Sequence, residues 1–180
     1  MDIKNITVGK PKTTGAVYVA PLGTTLPTDA SSTLASTYVE LGHVSEDGIT
    51  NENSPETEDI KAWGGTVVYS SQTEKTDTFT FALLETMKAD VLKVVYGDSN
   101  VTSTDGNISI NATTDELPER VYVIDMLLRN GSLKRIVIPD GKISEIGEIT
   151  YKDDELASYE LTITCLPTDG CTHKEYITVK

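Results

Sequence analysis

The residue types that most often carry out chemistry are few in this chain and lie far apart. The two histidines are His43 and His173, and the two cysteines are Cys165 and Cys171. A nucleophilic cysteine needs a histidine beside it to accept its proton. The Gly-x-Ser-x-Gly, His-Glu-x-x-His and Gly-x-x-x-x-Gly-Lys-Ser/Thr motifs are all missing from the sequence. We therefore predict that the protein is not an enzyme.

Cys165, Cys171 and His173 could together supply three zinc ligands, but the short Cys-x-x-Cys pair typical of zinc sites is missing. Cys165 also falls on the apolar side of an alternating run, where a thiol packs as a small apolar group. The acidic run of residues 153–155 is typical of a solvated turn. We expect no metal site, no cofactor and two thiols that are buried or free.

Carboxylates are the most abundant charged groups. The chain has 28 Asp and Glu residues against 15 Lys and Arg residues, and its net charge is -13. Such a surface repels a phosphate backbone, so we expect no specific binding to nucleic acid. The densest acidic stretch is a predicted long loop, residues 45–65, whose charged and aromatic residues are Glu46, Asp47, Glu52, Glu56, Glu58, Asp59, Lys61 and Trp63.

A loop of about 20 residues is longer than packing within one domain requires. Two interpretations of residues 45–65 stay open. In the first, the segment is an ordinary solvated acidic loop. In the second, it is an arm that becomes ordered against a neighbouring subunit, with the sole tryptophan, Trp63, as its apolar anchor.

Alternating and helical patterns indicate the elements that must position these residues. A length of 180 residues, 38% of them hydrophobic, predicts one folded domain over residues 1–180. Residues 77, 79, 81 and 83 are Asp, Phe, Phe and Leu and alternate with polar or small residues, which is typical of a half-buried strand. The strands predicted in the N-terminal half are residues 15–22, 37–44, 66–71 and 73–83.

The hydrophobic spacing then changes from strand-like to helical. Met87, Val91, Val94 and Val95 predict a helix over residues 86–96, which Gly97 ends. Residues 98–118 are predicted to be a polar excursion that carries a short strand at 108–111.

Two predicted turns divide the C-terminal half into a meander. Asn130-Gly131 and Asp140-Gly141 are dipeptides that favour tight hairpin turns. With the acidic turn of residues 152–155, they separate four predicted strands, residues 120–129, 132–138, 142–151 and 156–166. The C-terminal segment, residues 168–180, adds a short strand over 173–179, and residues 1–14 form an N-terminal arm.

These elements predict a mainly β fold, an antiparallel sandwich or partial barrel with one packed α-helix. No apolar run reaches the length of a signal peptide or a membrane span, which predicts synthesis and retention in the cytoplasm and no membrane partner. The strands 73–83 and 120–129 have plain edges, and such edges invite pairing with other copies of the chain.

The order of these segments resembles the major tail protein, or tail tube protein, of siphophage-type long-tailed bacteriophages, especially those of Gram-positive hosts. The resemblance spans residues 10–167 and rests on structural patterns. These are GAVYVAP at 15–21, YVELGHVSEDGI at 38–49, the loop ending in IKAWGG at 60–65, the strand 76–84 and the helix ending in VVYG at 94–97.

The resemblance implies six subunits per ring and stacked rings whose inner strands form a conduit for DNA. It also implies that the loop of residues 45–65 reaches an adjacent ring, and that tape measure and tail terminator proteins are partners. The expected location is the virion tail, with assembly in the host cytoplasm. An acidic wall would pass DNA without binding it. Glu40, Glu145 and Glu148 are candidate lumen residues because they lie on predicted strands, although an ordinary outward position stays open for each.

A second class of function also remains open. The chain could be a monomeric β-sandwich binding module, immunoglobulin-like or carbohydrate-binding, on a virion or cell surface. A carbohydrate site needs exposed aromatic rings. Most aromatic residues here fall at alternating strand positions that suit a core. Size-exclusion chromatography with negative-stain microscopy separates the two, because rings or tubes favour the tail protein and a persistent monomer favours the module.

Overall fold

The computed structural model describes residues 6–12 and 15–179, and within these ranges the fold is mainly β with one α-helix, as predicted. The helix α1 is Ala89–Tyr96, and short 3-10 turns occupy Asp98–Asn100 and Arg129–Gly131. Half of the predicted N-terminal arm, residues 6–12, is described, whereas residues 1–5 and 13–14 fall outside the described residues. The strands are β1 Lys10–Pro11, β2 Val17–Pro21, β3 Val39–Glu40, β4 Val44–Lys61, β5 Val67–Leu83, β6 Val101–Thr104, β7 Asn107–Ile110, β8 Arg120–Leu127, β9 Leu133–Ile146, β10 Tyr159–Cys165 and β11 Lys174–Thr178.

Nine strands form one antiparallel sheet in the order β3-β2-β8-β9-β10-β5-β4, and β1 and β11 pair with β8 and β9. β8 lies inside the sheet, and its first six residues, from Arg120 to Asp125, are all buried. A strand covered on both faces carries apolar side chains at successive positions, as residues 121–124 do. The sheet curves around a main core but does not close, because β3 and β4 end it without pairing to each other in the described ranges.

The predicted hairpin turn at Asp140-Gly141 is wrong. β9 runs unbroken through this dipeptide, so the predicted strands 132–138 and 142–151 are largely one strand. Its first part pairs with β8 and β11 and its last part with β10, so the chain passes from one half of the sheet to the other at Gly141. A Cβ atom on Gly141 would lie 2.7 Å from Tyr122 Cδ2 and 2.9 Å from Ile163 Cγ2. The glycine is therefore needed for close packing and not for a turn.

The main core lies between the curved sheet and α1. Val91, Leu92, Val94 and Val95 of the helix pack against the inward side chains of β5, β8, β9 and β10. The helix begins at Ala89, three residues later than the spacing of Met87 and Val91 predicts, and Met87 is exposed. Gly97 ends it as predicted, with φ at 97° and its amide donating to the Lys93 carbonyl oxygen.

The opposite face of β2, β8 and β9 is covered by the connection of residues 22–38, which contributes Leu26, Leu34 and Tyr38 to a second, smaller core. Arg135 of β9 holds this connection against the sheet through hydrogen bonds. Its guanidinium donates to both carboxylate oxygens of Asp125 at 2.7 and 2.8 Å, and to the carbonyl oxygens of Asp29 and Ser32 at 3.1 and 2.9 Å. The hydrogen bonds from Arg135 to Asp125 raise the pKa of the guanidinium, so the buried arginine stays charged.

The predicted strands 66–71 and 73–83 are one strand, β5, and the predicted strand 37–44 is reduced to the two residues of β3. Other elements agree with the prediction. The polar excursion of residues 98–118 carries the small β6–β7 hairpin, whose second strand overlaps the predicted strand 108–111. Asn130-Gly131 does join two antiparallel strands, and the connection is a 3-10 turn with Gly131 at a φ of 76°. β11 lies within the predicted strand 173–179.

Candidate assembly surfaces

The segment predicted as a long acidic loop is a β-hairpin. Residues 45–61 belong to β4, which pairs with β5 from Val44 to Lys61. The root of the hairpin lies in the main sheet, and the remainder, residues 53–75, projects from it; we call this part the arm. From Asp77 to Val67, β5 advances ten residues, which at about 3.3 Å per residue is roughly 33 Å. The prediction of an irregular loop failed because the arm has no buried face and so shows no apolar alternation.

The end of the arm is an exposed apolar cluster. Gly64 and Gly65 have φ values of 104° and 88° and close the turn, with the Gly65 amide donating to the Ala62 carbonyl oxygen at 2.9 Å. Trp63 in this turn is fully exposed. Its exposed apolar neighbours on the two strands, which with it form the arm tip, are Ile60, Val67, Val68 and Tyr69.

Such a cluster on a solvated element is typical of a surface that binds another molecule. A two-stranded hairpin alone is marginally stable in water, and the arm has no third strand or helix against it among the described residues. Burial of the tip against a partner would supply the packing that the arm lacks in its own copy.

At the root of the arm, Asp77 joins three parts of the chain. It is the last buried residue of β5 before the arm, with 1% of its surface exposed. The Asn51 amide of β4 donates to Asp77 Oδ1 at 2.9 Å, and Oδ2 accepts from the Thr172 hydroxyl and lies 2.6 Å from His173 Nδ1. The His173 ring also stands edge-on to Phe79, with 5.2 Å between ring centroids.

The Asp77 carboxylate is stabilised in its charged form. Burial raises the pKa of Asp77, but the hydrogen bonds from Thr172, Asn51 and His173 together outweigh burial and leave this pKa below its ordinary value. Asp77 therefore fastens the C-terminal segment and β4 to the base of the arm.

The two faces of the arm differ in charge. Because Phe79 and Phe81 point into the core, Thr78 and Thr80 point to the opposite face, and the β4 residues paired with these threonines share that face. The same face continues over β10 and the end of β9, where the Thr80 and Thr162 hydroxyls lie 3.0 Å apart. We call it the carboxylate face, and its acidic residues are Glu52, Glu56, Glu58, Glu74, Glu145 and Glu160.

All six glutamates are exposed, and threonine and serine hydroxyls separate them along the strands. Lys142 lies at the margin of this face and is paired with Glu116. The other face of the arm carries Asp59, Lys61 and Lys75, so it is not acidic. Negative charge on the arm is thus concentrated on one side.

The structure brings together some of the predicted lumen residues and separates others. Glu145 lies on the carboxylate face, opposite Thr162. Glu40 lies on β3 at the other end of the sheet, 3.9 Å from Lys88 Nζ. Glu148 is exposed but follows the end of β9, so the expectation that it lies on a strand is wrong. The lumen role of all three stays a prediction.

The predicted arm residues divide into three places. Glu52, Glu56 and Glu58 lie on the carboxylate face, and Asp59 and Trp63 lie at or beside the tip. Glu46 and Asp47 lie at the root, where the pairing of β4 with β5 is interrupted between Val44 and Ile49.

The predicted plain edges are partly wrong. β8 has neighbours on both sides, β2 and β1 on one and β9 on the other, so residues 120–127 are not an edge. β5 is covered by β10 only from Thr78 to Leu83, and its outer part has a free side. The outer edges of the main sheet are β3 and β4. β8 was misread because its polar residues, Arg120 and Asp125, are paired inside the fold.

The few potentially reactive side chains are engaged elsewhere. Cys165 is buried as predicted, and burial raises the pKa of its thiol to about 12. His43 Nδ1 lies 2.7 Å from Glu85 Oε1, far along the chain from both cysteines. Within residues 6–12 and 15–179, no group of three or more His, Cys, Asp and Glu residues is placed to hold a metal ion. No helix in the same ranges is long and apolar enough to span a membrane.

Sequence reasoning missed Glu74 and Glu160 on the carboxylate face and the role of Asp77 at the arm root. A signal for Asp77 was present, because it is the one charged residue at the inward positions of 77–83. Glu74 could not be placed, since a register shift beside it changes which residues share a face.

A long strand pair ending in an apolar tip, an acidic outer face and open sheet edges are features of a subunit that assembles. A family model described as phage tail tube protein matches residues 8–179. The chain belongs to this family. A search of curated proteins finds no significant match.

Membership in the phage tail tube family confirms the resemblance seen in the sequence and gives the chain a structural role in the tail tube. The family consists of structural tail proteins, and its members assemble with other copies and with other tail proteins. The location of a tail tube protein is the tail of the virion.

Proposed function

We propose that this chain forms hexameric rings that stack into a tube for DNA, and that the arm of each subunit binds a subunit in an adjacent ring. The observation that carries this proposal is the arm itself. It extends roughly 33 Å from the domain. It also ends in a fully exposed tryptophan that contributes nothing to its own core. Both features are expected of an element whose tip is covered by another copy of the chain.

The carboxylate face is the surface that we assign to the bore. Six exposed glutamates and intervening hydroxyls lie along β4, β5, β10 and β9. A duplex carries one phosphate charge per ~1.7 Å of its axis, so this face repels DNA at short range and offers it no cationic row. At physiological salt, screening limits the repulsion to about 8 Å. DNA can therefore move past the wall without adhering to it.

The partners follow from the same proposal. Tape measure protein inside the tube and a terminator protein at its end are the expected tail partners, and assembly takes place in the host cytoplasm. DNA is a passing occupant and not a specific ligand.

Assembly is tested by shortening the arm. Replacing residues 55–75 with Asn-Gly places a two-residue turn between Ser54 and Thr76, which are paired across the hairpin. Asp77 keeps its hydrogen-bond partners. Concentrated wild-type protein should form rings or tubes in negative stain, and the shortened variant should remain a folded monomer. A control variant, Asp105→Asn, creates the same Asn-Gly pair with Gly106 in the β6–β7 turn, leaves the arm intact and should still assemble. A wild-type protein that stays monomeric at every concentration would favour the monomeric binding module.

The bore assignment is tested by reversing charge. Tubes of the triple variant Glu52→Lys, Glu56→Lys and Glu58→Lys should retain duplex DNA in a sedimentation assay at physiological salt, whereas wild-type tubes should not. The control variant, Asp153→Lys, Asp154→Lys and Glu155→Lys, makes the same charge change in the exposed connection after β9. Retention by the control and not by the arm variant would contradict the assignment.

A further inference from the structure

A groove at the root of the arm has the features of an acceptor for the arm tip. Two adjoining cavities of about 450 and 350 Å³ share Pro11, Ala16 and Val44 in their lining. Ile49 and Met126 extend the apolar floor of the larger one. It opens where β4 leaves β5 between Val44 and Ile49. We call this feature the β1 groove, because β1 forms one wall.

The rims of the β1 groove carry opposite charges that have no ionic partner among the described residues. Lys10 lies on the β1 side, and Glu46 lies on the β4 side. Both side chains are exposed, and neither takes part in an ion pair within residues 6–12 and 15–179. Asp47 lies beside Glu46 in the lining, so the larger cavity has an apolar floor, a cation on one rim and carboxylates on the other, and it suits an occupant with the reverse arrangement.

The arm tip has that arrangement. Its apolar side chains include Trp63, a residue type that buries about 150–250 Å² when covered. Asp59 and Lys61 lie two residues apart on the same face of β4, at the start of the tip. Neither forms an ion pair within the described part of the arm. Asp59 therefore matches Lys10, and Lys61 matches Glu46.

The two surfaces cannot meet within one extended subunit. From Ile49 at the groove to Lys61 at the tip, β4 advances twelve residues, or roughly 40 Å. When the tip of one copy enters the groove of a second copy and the second passes its own tip to a third, the contact is heterologous and generates a ring or a filament. An arm that binds a subunit in an adjacent ring forms this continuing contact, whereas reciprocal exchange of arms between two copies would close a dimer.

We infer that the β1 groove binds the arm tip of a second copy, with Trp63 on the apolar floor and Asp59 and Lys61 paired with Lys10 and Glu46. This inference rests on the proposed assembly function and specifies its acceptor. The groove wall β1 is a two-residue strand held to β8. The acceptor is therefore formed by the N-terminal segment and the arm root together.

Disulfide trapping tests the contact directly. In a Cys171→Ser background, which removes the partly exposed thiol, Lys61→Cys is combined with Glu46→Cys. The control combines Lys61→Cys with Asp153→Cys, which also removes one exposed carboxylate. After assembly and mild oxidation, the first pair should give a ladder of linked subunits on a non-reducing gel, and the control pair should give monomers.

Charge exchange gives a second readout that keeps Trp63 and the groove floor. Lys10→Glu alone and Asp59→Lys alone should each raise the subunit concentration needed for assembly about fivefold, and the two together should restore the wild-type value. Both residues are exposed and form no ion pair with any residue that the structure describes, so thermal unfolding of the monomers should not change.

The possible outcomes separate the inference from the proposed function. Tubes without a ladder, or with equal ladders from both cysteine pairs, would show that the arm binds elsewhere and would leave the tube function standing. Absence of tubes from the wild type would remove both. Slow maleimide labelling of Glu46→Cys in the unassembled subunit would show that the chain itself fills the groove, and this would also overturn the inference.

Discussion

The root and the tip of the β4–β5 hairpin are built from the same two strands, yet they differ in burial and in hydrogen bonding. At the root, Phe79 and Phe81 are buried against the core, and Asp77 is held by three side chains. At the tip, Trp63 and Tyr69 lie in solvent. The comparison shows that one element can be stabilised by its own fold at one end and depend on another molecule at the other. Stability and assembly should therefore respond to different substitutions.

The largest effect on stability is expected at the root. Phe79→Ala removes a buried ring from the main core and should lower the free energy of unfolding by about 3–5 kcal/mol. For a chain of this size, that loss corresponds to a fall in Tm of about 6–20 °C. Thermal unfolding followed by circular dichroism measures it. A fall below 2 °C would mean that the root is no better packed than the tip.

Asp77→Asn should give the next largest effect, about 1.5–3 kcal/mol at neutral pH, because the carboxylate accepts three hydrogen bonds out of solvent. The folded-state pKa of Asp77 lies below its ordinary value of 3.8, because Thr172, Asn51 and His173 hydrogen-bond the carboxylate. Its contribution is therefore complete above pH 3.8 and disappears as the pH falls through the folded-state value.

Urea unfolding of the wild type and of Asp77→Asn across the acid range checks this pH dependence of the unfolding free energy. The difference in unfolding free energy should shrink as the pH drops below 3.8. A difference that grows in acid would contradict the stabilised carboxylate.

Gly141→Ala should cost about 1–3 kcal/mol, since the added methyl group meets the Tyr122 ring and Ile163 from both sides. The matched change is Gly170→Ala, where a Cβ atom meets nothing within 4 Å but φ is 80°. Strain at that exposed turn should cost about 1 kcal/mol. Chemical denaturation compares the two. An equal or larger loss from Gly170→Ala would argue against close packing at the bend of β9.

Trp63→Ala should have the smallest effect on the isolated subunit, within about 0.5 kcal/mol, because the side chain is fully exposed. The same substitution should abolish assembly. Sedimentation velocity on the monomer and on concentrated samples measures both quantities. A Trp63→Ala protein that still forms tubes would separate the tip from the assembly function.

Sequence reasoning succeeded where burial imposed a pattern. Phe79, Phe81, Leu161 and Ile163 alternate with polar residues, and the strands they predict are β5 and β10. The helix was found from Val91, Val94 and Val95, although its start was placed too early. The elements that bury one face against the core could therefore be predicted from the sequence.

The errors lie where local residue types do not report the tertiary environment. Asp140-Gly141 has the composition of a turn, but Tyr122 and Ile163, distant in sequence, require a glycine within a continuous strand. The arm buries no face against the fold of its own subunit, so the sequence of its strands resembles that of a loop. The carboxylate face could not be predicted in full, because a register shift decides which side Glu74 occupies.

The central claim is that a partner copy covers the arm tip, and the sole tryptophan allows a direct measurement. Acrylamide quenching of Trp63 fluorescence can be compared between dilute subunits and sedimented assemblies of the same protein. The account predicts strong quenching in the subunits and a marked loss of quenching, with a blue-shifted emission, in the assemblies. Equal quenching in both states would show that the tip stays in solvent and would contradict the account.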